Sequence, residues 1–555
     1  MRKKEKDFIP AKFASYLEKG AMVSNARRLL MKNPTKICRH INKRIWLLFL
    51  LQANLYLSSF GQNSSFVLTT DALKEHVAYF NSIDSEAVVN FIPNDQSFSW
   101  LAENVPLFDC PDSTIVQTYY FRWWSFRKHL KETPDGFIFT EFIEPVKHEG
   151  KYGAISCALG HHIYEGRWLR NPEYIKQYID FWLIKEPTFK PSKFHSFSSW
   201  LSDAVYNLFL VQQNKEQVTK WLPLLDKDYE RWEQERQLPS GLFWQFDVKD
   251  GMEESVSGGR RIQNRRPSIN SYMYGNAQAL AKMAKLLQID SLVSKYNTKA
   301  GELKKLVVDS LWDQGGEFFR TRHPDGQLAA REAIGFIPWY FNLPPDENEY
   351  AEAWLQLTDT AGFEAPWGIT TAERREPTFR TRGTGHSCEW DGAVWPFAST
   401  QTLKALANLL TDYKHHDNID NRLFYEKFHQ YARSHQKNGK PYIGEYQDEK
   451  TGYWLKGDNP RSTFYNHSGF CDLVINDLIG LKPDDGNRIT IKPLVPVGEW
   501  DWFCLDKLSY QGSMLTILWD RTGEKYGRGK GFLLFVNGKR VAFNKTLGEL
   551  SAKIN

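Results

Sequence analysis

Between about residue 113 and residue 480, apolar side chains recur at three- and four-residue spacing in segment after segment. The segments lie near 114–131, 154–184, 198–215, 217–236, 269–287, 293–312, 329–341, 347–358, 392–412, 421–436 and 464–480. Eleven or twelve helices in a row predict an all-α body. The loops between them, at 237–268, 313–328, 359–391 and 437–463, are long and rich in Gly, Pro, Trp and acidic residues. Loops of that length inside a compact body usually carry function. After Pro483 the period changes to two, in RITIKPLVP, SMLTILWD and KGFLLFVNGKRVAF, with Asn537-Gly538 as a hairpin turn. A small β domain is therefore expected to close the chain.

The first sixty residues have a different character. Met31 opens a basic stretch, KNPTKICRHINKR, which runs into the apolar segment 45–60 and the small-residue site Ser59-Phe60-Gly61-Gln62. That order is the pattern of an export signal, with Met31 as the expected true start and a periplasmic or secreted product. The apolar run is too short for a confident membrane span. The charge belongs to this leader: residues 1–62 hold 13 Lys and Arg against 3 Asp and Glu, leaving 58 against 63 in the remainder. Nucleic acid is thereby excluded as an expected partner. The expected boundaries are a leader at 1–62, the helical body at 63–485 and the β domain at 486–555.

Cys38 falls in the leader, and Cys110, Cys157, Cys388, Cys471 and Cys504 follow at irregular spacing without a CxxC pair. Buried free thiols are the expectation for most of them, and neither a metal site nor a cofactor is indicated. Aromatic residues make up 15% of the chain, with 20 Trp, more than a core requires. Flat rings suit the C–H faces of sugars, although Trp is also a highly buried residue type.

The chemistry gathers in the loops. WQFDVKDGMEESVSGGR carries Trp244, Asp250, Glu253, Glu254 and Arg260; CEWDGAVWPF carries Glu389, Trp390, Asp391 and Trp395; PYIGEYQDEKTGYW carries Glu445. Acids far apart in sequence and set among aromatics suit glycoside hydrolysis, which needs one carboxyl kept protonated and another ionised.

Three motifs in this order resemble those of the (α/α)6 glycosidases that include glycoside hydrolase family 63, the family 37 trehalases and the mannosylglycerate hydrolase-like enzymes. They are Asp250-Gly251-Met252-Glu253-Glu254-Ser255, Glu389-Trp390-Asp391-Gly392-Ala393-Val394-Trp395, and Glu445 through Thr451-Gly452 followed by His467-Ser468-Gly469-Phe470. The resemblance spans roughly 115–480. It implies an (α/α)6 toroid, the six-hairpin fold, followed by the small β domain. It also implies an inverting mechanism with Glu253 as general acid and Glu445 as general base, acting without a cofactor on a terminal sugar of an oligosaccharide or polysaccharide. Glu253 stands where those families usually carry Asp, and Glu254 is the competing acid. Asp391 stands where they often carry Arg, so a contact to the sugar is expected to differ.

Further pocket candidates come from helix ends: Trp123 and Trp124 beside Arg122, Trp168 in GHHIYEGRWLR, and Arg260 next to Gly258-Gly259. For Trp123 and Trp168, packing and sugar stacking weigh equally. His161 and His162, adjacent on a helix, point apart and are expected to be buried and satisfied. Three alternatives to an exo-hydrolase of that kind are a β-L-arabinofuranosidase-like furanosidase, a non-catalytic glycan-binding relative, and a sugar epimerase, which would need His bases.

Overall fold

The computed structural model describes residues 66–381 and 388–553. The expected leader, with its basic and apolar stretches and Cys38, lies outside them. Two helices that the periodicity did not reveal come first, α1 (Asp71–Ile83) and α2 (Asn94–Asn104), followed by the short strand β1 (Leu107–Asp109). Helical hairpins then follow one another. α3 (Ser113–His129) leads through the β2–β3 ribbon (Leu130–Thr133, Gly136–Phe139) to α4 (Leu159–Gly166). α5 (Glu173–Asp180), extended by a π turn at Phe181–Lys185, leads to α6 (Leu201–Gln212). α7 (Lys215–Arg236) leads to α8 (Pro267–Leu286).

α9 (Asp290–Leu311) leads through β4–β5 (Trp312–Asp313, Phe318–Phe319) to a 3₁₀ turn and α10 (Ile337–Tyr340). α11 (Asn348–Ala351), extended by a 3₁₀ segment, leads through β6–β7 (Glu364–Ala365, Gly368–Ile369) to α12 (Pro396–Asp412). α13 (Asn421–Ser434) leads through β8–β9 (Gln436–Lys437, Lys440–Pro441) to a π-helical segment, Leu473–Leu478. The single helix expected over 154–184 is two, α4 and α5. The chain turns at Arg167–Pro172, where Pro172 disfavours helical backbone at the residue before it.

Burial separates an inner from an outer ring. In α8, 16 of 20 residues are buried, whereas in α9 only 5 of 22 are, all on one stripe. A helix buried on every side belongs at the centre. Successive inner helices pack on one another: α4 on α6, α6 on α8, α8 on α10, α10 on α12, and α12 on the π-helical segment. Glu165 at the end of α4 closes the ring, because its carboxylate accepts from the N–H groups of Phe470, Cys471 and Asp472 at 2.6–3.0 Å. Arg167 pairs with Asp472 at 2.8 Å at the same seam. The ring is tight enough that a Cβ on Gly160 of α4 would fall 2.1 Å from the Trp200 ring. The architecture is an (α/α)6 toroid.

The two ends of the toroid are unequal. At the C-terminal ends of the inner helices the connections are short, two residues at Gln213–Asn214 and three at Leu287–Ile289. A cavity of about 330 Å³ there is lined by Asp203, Lys282, Lys404 and Asn408 among others. Lys404 and Lys482 in its wall are both bound to Asp477, at 3.0 and 2.9 Å. All the long loops stand at the opposite end.

The C-terminal strands form a five-stranded antiparallel sheet in the order β1-β12-β13-β14-β15 and a smaller one, β10-β11-β16. Their ranges are β10 Leu481–Lys482, β11 Arg488–Ile491, β12 Trp502–Tyr510, β13 Ser513–Asp520, β14 Gly531–Val536, β15 Lys539–Asn544 and β16 Leu550–Lys553. Asn537 and Gly538, with φ of 50° and 78°, turn β14 into β15, a conformation these two residue types tolerate. The larger sheet recruits β1 from upstream of the helical hairpins, and Asp506 also accepts from the N–H groups of Val67 and Leu68, ahead of α1. All five described cysteines are free, and all but Cys388 are buried. No helix among the described residues is long and apolar enough to cross a membrane.

Candidate active site

The loops entering the inner helices enclose a cavity of about 320 Å³. One loop, 237–266, is held from within by a charge pair that has no contact with water: Arg266 Nε meets Asp250 Oδ2 at 2.7 Å, both side chains fully buried. Ser268 also donates to Asp250, and Arg266 reaches Ser255 and Ser257 at 3.3 and 3.1 Å. Gly251 then turns with φ of 72°, where a Cβ would meet Cys157 Sγ at 2.4 Å. That turn sends Glu253 into the cavity. Its neighbour Glu254 departs in another direction, to Arg260 at 2.8 Å and Arg380 at 2.9 Å.

Removing one partner of a buried pair leaves the other charged and dry. Asp250→Ala is therefore expected to lower stability by about 3–5 kcal/mol, read as a lower denaturant midpoint. A change under about 1 kcal/mol would show that the pair does not anchor this loop.

The segment Cys388–Trp395 joins this loop to the one bearing Glu445. Trp390 N donates to the Glu253 carbonyl at 3.3 Å, while Val394 and Gln447 exchange two backbone bonds at 2.9 Å. The rings of Trp390 and Trp395 stack 4.4 Å apart, and Trp395 stacks in turn on Tyr446 at 4.6 Å. Glu445, almost fully buried, is flanked by Lys456 Nζ at 3.3 Å and an Arg461 guanidinium nitrogen at 3.6 Å. Ser462 Oγ and Cys388 Sγ lie 3.4 Å from its two oxygens.

The two cavity carboxyls live in different surroundings. Burial, reinforced by the charge of Glu445, pushes the Glu253 carboxyl up to about 7. The guanidinium of Arg260 holds Glu254 below the usual carboxylate range, against a partial burial penalty. A third carboxyl, Glu141, enters from the loop after β3. It accepts a hydrogen bond from Tyr465, and burial, with Glu445 and Glu253 adding to it, lifts it to about 8. Burial drives the His467 imidazole well below its ordinary value, so it is neutral at physiological pH.

Of the residues singled out by sequence, the cavity brings together Glu253, Glu445, Arg260, Trp390, Trp395 and His467. Others lie elsewhere. Trp123, Trp124 and Trp168 have no exposed surface. Trp123 packs edge-on against Tyr119 and Phe126, Trp124 donates to Asn81 at 2.8 Å, and Trp168 donates to Asp472 at 2.7 Å. All three are packing residues rather than sugar platforms, because the α3 faces that carry Trp123 and Trp124 and the turn after α4 that carries Trp168 point into the core. Trp244 sits outside the cavity under the Arg236 guanidinium, 4.7 Å away. Asp391 pairs with Arg380 in a separate, more open recess shared with Glu254.

His162 is buried and satisfied, by Tyr178 at 2.9 Å and the Asn466 carbonyl at 2.7 Å, whereas His161, against expectation, is buried but leaves Nε2 without a hydrogen-bond partner, because it packs edge-on between Trp200 and Phe397. The motifs did not reveal Glu141, His148, Cys157, Arg461 and Tyr465, which also line the cavity. Glu141 stands in FIFTEFIEP, which offers no signal beyond a lone acid after an apolar strand.

Comparison with known proteins places this geometry. Residues 481–543 match the C-terminal domain of glycosyl hydrolase family 65. A solved structure named Sialidase is 47% identical with a TM-score of 0.85, over 89% of this chain and 45% of that one. A Borreliella burgdorferi protein, named only as uncharacterized, is 25% identical over 205 residues, 37% of this chain and 41% of its own length. The chain thus spans less than half the length of either relative. The family 78 rhamnosidase of Bacillus sp. GL1, 12% identical with a TM-score of 0.53 over 75% of this chain and 40% of that one, shares the fold. Residues 151–468, more than half of the chain and inclusive of Glu253 and Glu445, match the family described as Mannosylglycerate hydrolase MGH1-like glycoside hydrolase domain, and the chain belongs to that family.

Proposed function

We propose that the protein is an inverting glycoside hydrolase that removes a terminal sugar from a glycan, with Glu253 as general acid and Glu445 as general base. The observation that carries this reading is the pair of carboxyls in one cavity with opposed surroundings. Glu253 has its carboxyl raised to about 7, so a proton is available near neutrality, and Glu445 lies between two cations. Such a separation of environments is how one site supplies both an acid and a base. In the proposed reaction Glu253 protonates the glycosidic oxygen, while Glu445 takes a proton from water attacking the opposite face of the anomeric carbon.

Trp390 and Trp395, which line the cavity and are held by stacking on each other and on the buried Tyr446, supply apolar surface suited to a sugar ring. A volume of about 320 Å³ suits one terminal sugar better than the middle of a long chain. The basic-then-apolar leader supports export to the periplasm or beyond.

The test is a panel of aryl glycosides covering mannosides, glucosides, rhamnosides, sialosides and arabinofuranosides, with proton NMR of the first-formed sugar. Inversion gives a product of opposite anomeric configuration to the substrate. A product that keeps the substrate's configuration would overturn the mechanism, and absence of turnover across the panel would overturn the hydrolase reading for these sugars.

A further inference from the structure

We infer that Glu141 is a specificity-determining residue, whose free carboxyl oxygen Oε2 holds one ring hydroxyl of a neutral sugar in this cavity. The inference rests on the cavity being a sugar site and adds which group selects the sugar. The residue is rigidly placed. Its carbonyl accepts from Asn466 N at 3.0 Å, and the preceding Thr140 carbonyl accepts from Asn466 Nδ2 at 3.1 Å. His129 Nε2 ties the same region to the Phe464 carbonyl at 2.7 Å. Glu141 is thus fastened to the loop that carries Tyr465 and His467.

Its two oxygens are not equivalent. Oε1 accepts the Tyr465 hydroxyl, whereas Oε2 is buried without a hydrogen-bond partner. A buried polar atom left unsatisfied costs about 1–3 kcal/mol, and a ligand that completes its hydrogen bond removes that cost. Glu141 lines the cavity together with Glu253 and Glu445, so the side chain that carries Oε2 borders the proposed sugar position.

The protonation state follows from what faces it. Glu445 and Glu253 oppose a further negative charge, Arg461 offsets them in part, and burial dominates, so the group is neutral up to about 8. Tyr465, Cys157 and His148 complete its surroundings and bring no cation at neutral pH, since burial lowers the His148 imidazole from its ordinary value. With Oε1 accepting from Tyr465, the proton resides on Oε2, which then donates to a sugar oxygen. A hydroxyl accepts that bond readily. The carboxylate of a uronic or sialic acid at this spot would add a charge near Glu445, whose own charge already engages Lys456 and Arg461, so a neutral sugar is the substrate class that fits.

The experiment uses the full chain and the best substrate of the aryl glycoside panel, with its monodeoxy analogues. Glu141→Ala is expected to lower kcat/KM about a hundredfold on the parent substrate. One deoxy analogue should lose a similar factor in wild type and lose nothing further in Glu141→Ala, because both changes delete the same bond. Glu141→Gln keeps a donor of the same shape. It should stay within about threefold of wild type at pH 6; both enzymes decline as Glu253 ionises through about 7, and the ratio of variant to wild-type kcat/KM should rise above pH 8, where only wild type also ionises Glu141. If alanine unfolds the protein, the glutamine variant and the deoxy series still decide.

Losses that multiply at every hydroxyl position, or a glutamine variant as impaired as alanine, would overturn the inference and leave Glu141 a structural partner of Tyr465. If wild type turns over no glycoside in the panel, the sugar-site reading itself fails and this inference falls with it.

Discussion

Glu445→Gln is expected to lower kcat by about a thousandfold on every glycoside accepted, irrespective of the leaving group. Glutamine preserves the side chain's shape but cannot take a proton from the attacking water, and water attack is common to all substrates. The surroundings make the loss hard to bypass. Lys456, Arg461, Ser462 and Cys388 hold the carboxylate on both oxygens, and each of their contacts lies at 3.3–3.6 Å. Neutralising Glu445 also leaves Lys456, itself 6% exposed, without its buried counter-charge, so some loss of stability accompanies the loss of rate. Thermal unfolding measured alongside separates the two effects. A variant that folds and retains near-normal kcat would remove Glu445 from the role of base.

Much of the toroid was legible because helical period survives wherever one face of a helix is apolar. The segment expected at 293–312 is α9, Asp290–Leu311, and that at 217–236 is α7, Lys215–Arg236. Periodicity is weakest where a helix is buried all round, and for the same reason it cannot say which Trp faces the cavity. Trp123 and Trp124 neighbour Arg122 in sequence, yet α3 has almost its whole second half buried, and the two rings are spent on packing. α1 was passed over although it buries Leu73, Val77 and Phe80 at helical spacing, and α2 buries Asn94, Ser97 and Asn104 beside Trp100 and Leu101, so much of its inner face does not read as apolar.

The candidate site shows the same division. Glu253, Glu445, Trp390 and Trp395 stand in motifs, and the cavity holds all four. Glu141, Tyr465 and Arg461 reach it through closure of the ring between its first and last hairpins, a relation of more than 300 residues that no local pattern encodes. Asp391 illustrates the reverse case. It sits inside a motif, but Arg380 captures it, and its carboxylate faces the outer recess.

Glu253→Gln should distinguish the acid from the base by the shape of its deficit. Protonation matters in proportion to how poor the leaving group is, so turnover of alkyl or sugar leaving groups should fall about a hundredfold or more, and that of dinitrophenyl glycosides only a few-fold. In wild type the acid is competent below about 7 and is lost as pH rises through that value. The basic limb of the pH profile should therefore soften in Glu253→Gln. In Glu445→Gln it should instead move to higher acidity, because the neighbouring charge that helps raise Glu253 is gone. Stability provides an independent check with a worked sign. A carboxyl raised from 4.5 to about 7 in the folded state binds its proton more tightly there than when unfolded, so folding weakens as pH rises between those values, by up to about 3 kcal/mol. Glutamine cannot ionise and escapes that penalty. Glu253→Gln should accordingly unfold at a higher temperature than wild type at pH 8, with the difference vanishing near pH 4, while being the slower enzyme at both. A variant that is slower but no more stable at pH 8 would show that the Glu253 carboxyl is not held protonated by its burial, and the acid would have to be sought elsewhere in the cavity.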